Sequence, residues 1–268
     1  MRKLGDILGG PPARAGGADP DPPAEETVCP ACNGAGFVGH MVPVDHPDFG
    51  KAFPCEACRP AREAERRADR LLFADLPHGP RYPMTFETWQ PRPEAAKALA
   101  AAKAFAQGKA PHPFLTLIGG YGTGKTHLAV AAAHAWITAD RGAGRYFQVE
   151  RLLDEMRAGY DRDAGASAHT YCLLDSVIGV SILVLDDLGA QKGSDWATAK
   201  LDEIIDARWA NGRPTIITTN LPIDKQPGRI ADRLIDGQCI VLTGESYRRT
   251  GGGAAAAGPS WRRKGRQE

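Results

Sequence analysis

Eight residues near the middle of the chain, Gly119-Gly-Tyr-Gly-Thr-Gly-Lys-Thr126, constrain its fold more than any other stretch. They match the spacing G-x-x-x-x-G-K-[ST]. Glycines at these positions let the backbone curl so that its N–H groups face inward and cradle an anion. The apolar run over residues 114–118 reads as a buried strand, and residues 125–138 read as a helix whose positive dipole end meets the same cradle. A strand, a glycine turn and a helix in that order call for a parallel sheet with its working end at the carboxyl ends of the strands.

The residue types assign the anion. Lys125 is placed to reach the β- and γ-phosphates of ATP, or the β-phosphate of ADP, and Thr126 to offer its hydroxyl to Mg²⁺. The expected nucleotide contacts are Gly119, Gly120, Tyr121, Gly122, Thr123, Gly124, Lys125, Thr126 and His127. A second element supports this. Ile182-Leu-Val-Leu-Asp-Asp187 is a hydrophobic strand ending in two carboxylates. Asp186 is expected to hold hydrated Mg²⁺, and Asp187 to polarise the attacking water. A third strand, Ile216-Ile-Thr-Thr-Asn220, ends in an amide that can orient water between the acids and the γ-phosphate. Asn220 is also a common turn residue.

Around these motifs the pattern alternates. Further strands are expected over residues 145–149, 215–219 and 239–243, with the acid-bearing strand starting at 181. Helices are expected over 94–107, with Leu99 and Phe105 among its apolar positions, and over 150–157, 196–209 and 229–235. Alternation of this kind implies α/β architecture with helices on both faces of a parallel sheet.

The N-terminal part follows different rules. Cys29-Pro-Ala-Cys32 and Cys55-Glu-Ala-Cys58 form two CxxC pairs. Two such knuckles can supply four thiolates to one tetrahedral Zn²⁺, in a closed site with no open position for catalysis. Thioredoxin-like redox chemistry is the rival use of CxxC, but no βαβ pattern surrounds these pairs. His40 and His46 lie between the pairs and are taken as loop residues, since four cysteines already complete the set. Cys172 and Cys239 have apolar neighbours in sequence and are expected in the core.

Residues 1–24 are expected to be disordered, 25–60 to form the zinc module, 61–81 a charged connecting helix and linker, 82–249 the main domain, and 250–268 a flexible basic tail. The formal net charge of +1 over 268 residues does not mark the whole molecule as a polyanion binder. No apolar run approaches the roughly 20 residues of a membrane span, and residues 1–8 are too polar for a secretory leader. A cytoplasmic chain with no membrane partner is expected.

With these motifs in place, the chain resembles the AAA+ ATPases. Among them it is similar to the bacterial helicase-loader family (DnaC/DnaI/IstB-like). The resemblance is carried by the phosphate loop (Walker A), Leu185-Asp-Asp-Leu-Gly-Ala190 (Walker B), Ile217-Thr-Thr-Asn-Leu-Pro222 (sensor 1), Met84-Thr-Phe-Glu-Thr-Trp89, Ile230-Ala-Asp-Arg-Leu234 and Ser246-Tyr-Arg248. It implies a P-loop AAA+ three-layer sandwich around a central parallel five-stranded sheet. By position it makes Arg233 the arginine finger for a neighbouring subunit's ATP, with Arg229 an alternative, and makes Arg248 a sensor touching nucleotide in cis. It implies an ATP-dependent homo-oligomer that loads a replicative, DnaB-type helicase onto single-stranded DNA, with ATP as an assembly and release switch. Two other functions fit the same motifs: an IstB-like transposition helper, and a nucleotide-gated DNA-binding adaptor with negligible hydrolysis. The zinc module favours the loader, because IstB-like helpers usually lack one. Asp187 replaces the glutamate common in AAA+ proteins, so turnover is expected to be slow and stimulated by DNA or a partner.

Overall fold

The longest apolar runs become strands, and the strands gather into one sheet. In the computed structural model, which describes residues 28–77, 84–161, 168–189 and 194–247, β3 (Phe114–Gly119), β4 (Gly144–Gln148), β5 (Ile182–Leu188), β6 (Thr215–Thr219) and β7 (Gln238–Leu242) pair in the order β4-β5-β6-β3-β7. Every pairing is parallel. Such a sheet needs a helix between strands and cover on both faces.

Side-chain alternation along the strands decides which helix covers which face. Leu115, Leu117, Val184 and Ile216 pack with α2 (Ala96–Ala106) and α3 (Lys125–Thr138), through Ala98, Phe105, Leu128 and Ile137. Phe114, Leu183, Leu185 and Ile217 face the other way. They pack with α4 (Val149–Asp161), α5 (Ala168–Gly179), α6 (Asp195–Ala210) and α7 (Gly228–Ile235), through Leu152, Val177, Ile204 and Leu234. The result is a helix–sheet–helix sandwich. Ser194 caps α6, its hydroxyl accepting from the Ala197 N–H at 3.2 Å.

Tertiary contacts divide the chain into two units, Met1–Arg62 and Glu63–Glu268, with the boundary inside α1 (Arg59–Phe73). In the first unit, β1 (Phe37–Gly39) and β2 (Ala52–Pro54) form an antiparallel hairpin. The Arg62 guanidinium donates to the Gly34 carbonyl.

The expected helix over 125–138 and strand over 215–219 appear with those bounds. The hairpin and α5 were not anticipated. Cys172 and Cys239 are corrected: both are exposed rather than core. Cys239 lies on β7, the edge strand, where alternate residues turn away from the sandwich, and its thiol donates to the Leu234 carbonyl at 2.9 Å. The segments read as a disordered leader and a basic tail, and Arg248, lie outside the described residues. Among the described residues, no helix is long and apolar enough to cross a membrane.

Candidate functional site

The sheet order sets the site. β3 lies beside β6, and β6 beside β5, so their carboxyl ends are neighbours. These ends carry the glycine loop, Asn220, and the pair Asp186 and Asp187. Ligands of open α/β sheets bind at such a crevice.

The loop leaves β3 at Gly119 and enters α3 at Lys125. Two of its glycines are required by what lies against them. Gly122 has φ +75, and a side chain there would strike Ser246; Gly124 has φ +95, and a side chain there would strike the Trp89 ring. Tyr121, just before Gly122, is exposed. Thr123 donates its hydroxyl to the Gly120 carbonyl at 3.0 Å.

Lys125 is buried, at 7% exposure, and its ammonium donates three hydrogen bonds: to the carbonyls of Gly119 (2.9 Å) and Gly120 (2.8 Å), and to Asn220 Oδ1 (2.7 Å). Burial lowers its pKa, against the opposing pull of Asp187 and then Asp186. The other end of the Asn220 amide donates to Asp187 Oδ1 at 2.7 Å. One asparagine therefore joins the loop lysine to the second acid. Thr126 donates to Asp186 Oδ1 at 2.8 Å, joining the loop to the first acid. Lys125, Asn220 and Asp187 thus form one hydrogen-bonded chain, and Thr126 with Asp186 a second beside it, in one polar cluster.

Two residues that the sequence did not single out complete it. Tyr146 on β4 donates its hydroxyl to Asp186 Oδ2 at 2.8 Å, and burial together with Asp186 raises its pKa. Thr218 on β6 donates to Asp186 Oδ1 at 2.6 Å and accepts from the Asp187 N–H at 2.9 Å. In the sequence, a tyrosine and a threonine inside strands look like β-propensity alone.

His127 meets the segment that carries Thr85 and Trp89. Its Nε2 lies 2.8 Å from the Thr85 carbonyl, and its ring meets Trp89 edge-on at 5.2 Å. Tyr247 closes the same corner. Its N–H donates to the Gly122 carbonyl at 2.9 Å and its hydroxyl to the Gln90 carbonyl at 2.8 Å, with the Arg92 guanidinium 3.5 Å over its ring. The segments around Trp89 and Tyr247 therefore pack against the loop from outside.

Arg233 is on α7, tied within its own chain. Its Nε donates to Asp206 Oδ1 at 2.7 Å, and the guanidinium stacks 4.2 Å over Trp209. That hydrogen bond raises its pKa. Arg229 is more exposed and lies 3.9 Å from the other oxygen of Asp206.

In the first unit, the sulfur atoms of Cys29, Cys32, Cys55 and Cys58 lie within 4.8 Å of one another, with Cys29–Cys55 at 3.9 Å and Cys32–Cys58 at 3.7 Å. A tetrahedral Zn²⁺ with Zn–S of about 2.3 Å needs sulfurs about 3.8 Å apart, so the set fits the ion. Gly36 N–H donates to Cys32 Sγ at 3.2 Å. Hydrogen bonds from the Ala31 and Cys32 backbone lower the Cys29 thiol to about 7, whereas desolvation raises Cys58. His40 stacks on Phe53, and His46 Nδ1 accepts from the Asp48 N–H, both apart from the four-cysteine cluster.

This geometry has relatives. The replicative helicase loader DnaC of Escherichia coli (strain K12) is 28% identical over 135 residues, 47% of this chain and 53% of DnaC. A putative ATP-binding protein in an insertion sequence of Mycobacterium tuberculosis is 31% identical over 144 residues, 49% of this chain and 54% of that protein. The chain spans about half the length of the curated relatives it matches. Among solved structures, the DnaC helicase loader matches with a TM-score of 0.51 at 27% identity, over 60% of this chain and 97% of that one. Domain III of the Thermotoga maritima replication initiation protein DnaA matches with a TM-score of 0.55 at 21% identity, over 62% and 69%, a likeness of fold. The sandwich is an AAA+ fold. A family model described as IstB-like ATP binding protein matches residues 61–250, and on that match the chain belongs to the IstB-like ATP binding protein family.

Proposed function

We propose that the chain is an ATP-dependent loader of a replicative, DnaB-type helicase onto single-stranded DNA. ATP acts as a switch for assembly and release more than as fuel for fast turnover. The reading is supported above all by one observation: the Lys125–Asn220–Asp187 chain of hydrogen bonds, within the residues 61–250 that match the family model, in a chain with similarity to DnaC. Drawing Lys125 onto a phosphate breaks its bond to Asn220, so nucleotide arrival is felt at once on β6 and β5. That is the behaviour of a switch.

In this reading the backbone of residues 119–124 holds the phosphates, with His127 and Arg248 at the nucleotide's edge. Lys125 supplies positive charge to the β- and γ-oxygens. Bound Mg²⁺ neutralises charge building on the transferred phosphoryl group. Thr126 and Asp186 would hold it, and their 2.8 Å contact suits a pair that a cation can separate. Asp187 accepts the proton of the attacking water and Asn220 orients that water. Arg233, released from Asp206, serves the ATP of a second copy of the chain in a homo-oligomer. The four cysteines hold a structural Zn²⁺ in a unit that docks the helicase. The chain is an ATPase of the cytoplasm, slow because Asp187 is one methylene shorter than glutamate, and stimulated by DNA or the helicase.

The match to an insertion-sequence ATP-binding protein favours a second reading, an IstB-like transposition helper. A loading assay separates them. Helicase and single-stranded DNA coated with binding protein should give strand unwinding only with this chain and ATP. Lys125→Ala and Cys29→Ser should each abolish it. Unwinding that is indifferent to the chain would refute the loader reading, and DNA-dependent capture of a transposase would support the second.

A further inference from the structure

Asp186 and Asp187 are consecutive on β5. In a regular strand, consecutive side chains point to opposite faces, so the second acid would turn away from the first. The backbone avoids this. Asp187 has φ +61, and the pairing of β5 with β6 slips at this point: Leu185 stands opposite Ile217, yet Leu188 stands opposite Thr219. The additional residue on β5 makes a bulge, a device that re-aims side chains near active sites. Left-handed backbone is unfavourable for a residue with a Cβ, so the surroundings must hold it.

Thr218 is almost wholly buried at the bulge. Its hydroxyl accepts from the Asp187 N–H at 2.9 Å, giving that N–H a partner off the regular ladder, and donates to Asp186 Oδ1 at 2.6 Å. One hydroxyl thus grips both acids. From β4, Tyr146 takes the second oxygen of Asp186 at 2.8 Å and leaves Oδ1 beside Thr126. Asp187, re-aimed by the bulge, meets the Asn220 amide that also holds Lys125.

We infer that Thr218 is the positioning residue of the two-acid site: its hydroxyl holds the bulge and turns both carboxylates toward the phosphate loop, with Tyr146 fixing the second oxygen of Asp186. The inference rests on the nucleotide-binding reading above. It gives the fourth residue of the Thr215–Thr219 strand a role in Mg²⁺ handling that neither its burial nor its strand propensity requires.

The test uses the full chain with Thr218→Val, which keeps shape and removes the hydroxyl, and Thr218→Ser, which restores it. A fluorescent ATP analogue is titrated in EDTA, and Mg²⁺ is then titrated into the ATP complex with melting temperature and turnover as readouts. Thr218→Val should bind the analogue in EDTA as the wild type does. Its Mg²⁺ half-point should rise about 10–100-fold, the usual effect of losing a residue that orients a metal-binding group. Thr218→Ser should return close to wild type. An unchanged Mg²⁺ half-point in Thr218→Val, a serine variant as impaired as the valine, or loss of analogue binding in EDTA would each overturn the positioning role. If Thr218→Val does not fold, Tyr146→Phe carries the same test on the other oxygen, with the same expected rise and the same refutation. A wild-type chain that binds no ATP refutes the nucleotide reading itself, and this inference with it.

Discussion

Removing the Asn220 side chain should move nucleotide affinity and turnover in opposite directions. In the free chain its amide bridges the Lys125 ammonium and the Asp187 carboxylate, both at 2.7 Å. Hydrogen bonds to charged groups contribute about 1.5–3 kcal/mol each. Water refilling the space of an alanine recovers part of that, so Asn220→Ala should destabilise the nucleotide-free chain by about 1–3 kcal/mol. Binding tells the opposite story. The wild type must break the Lys125–Asn220 bond to bring the ammonium onto a phosphate, and the alanine variant has no such bond to break. If half the bond's strength returns as binding energy, about 1 kcal/mol, affinity for Mg²⁺-ATP rises roughly five-fold. On the role proposed for Asn220, turnover loses a group that orients the attacking water, and the loss of one such preorganised donor lowers kcat about 100–1,000-fold. Calorimetric titration with ATP and a phosphate-release assay read the two effects separately. Affinity that falls as steeply as in Lys125→Ala would show that Asn220 is no brake on the lysine, and turnover that survives would show that it does not orient the water.

Arg208 should be a large stability determinant remote from the nucleotide. It is fully buried and donates to the carbonyls of Val177, Ile178, Val180 and Pro214 and to the Thr215 hydroxyl, and burial lowers its pKa to about 9. Arg208→Met orphans the Val177, Ile178 and Val180 carbonyls, while Pro214 keeps the Leu183 N–H, and should cost about 3 kcal/mol or more, with ATP affinity intact below the melting transition; denaturant unfolding with a loss under about 1 kcal/mol would contradict this. Among the described residues one buried oxygen of Asp202 has no partner, and desolvation, then Asp206, raises its pKa. Its ionised form is therefore a burden on the fold above the raised pKa, and the burden vanishes as pH falls below the ordinary carboxylate range. Asp202→Asn should raise the melting temperature at pH 7 and lose the gain near pH 3, as a pH series of melts would show. Chelation of zinc, or Cys29→Ser, should unfold the first unit while leaving ATP binding by the second unchanged, measured by limited proteolysis alongside nucleotide titration.

The sequence made the sandwich legible because its strands are short, apolar and separated by helix-length segments. Residues 215–219, set between Pro214 and Asn220, and residues 125–138, which begin after Gly124, show this. α5 escaped because its residues, Ala168-His-Thr-Tyr-Cys-Leu-Leu-Asp, mix β-branched, aromatic and helix-forming types without a clean apolar face. Its burial is decided by α4 and α6, which sequence periodicity cannot see. The two-acid strand was legible as a motif, but its bulge was not. A left-handed aspartate carries no compositional mark, and Thr218 supports it only through a neighbouring strand. Cys239 shows the converse error: apolar neighbours suggest a core position, yet an edge strand exposes alternate residues. The arginines of α7 were found by position, but their pairing with Asp206 depends on how α6 and α7 pack.

The most direct measurement is co-purification of the full chain with the host's DnaB-type helicase, in Mg²⁺-ATP, in Mg²⁺-ADP and without nucleotide. A loader switched by ATP gives a stable complex whose yield changes between ATP and ADP, and Lys125→Ala removes that difference. No complex in any nucleotide state contradicts the account.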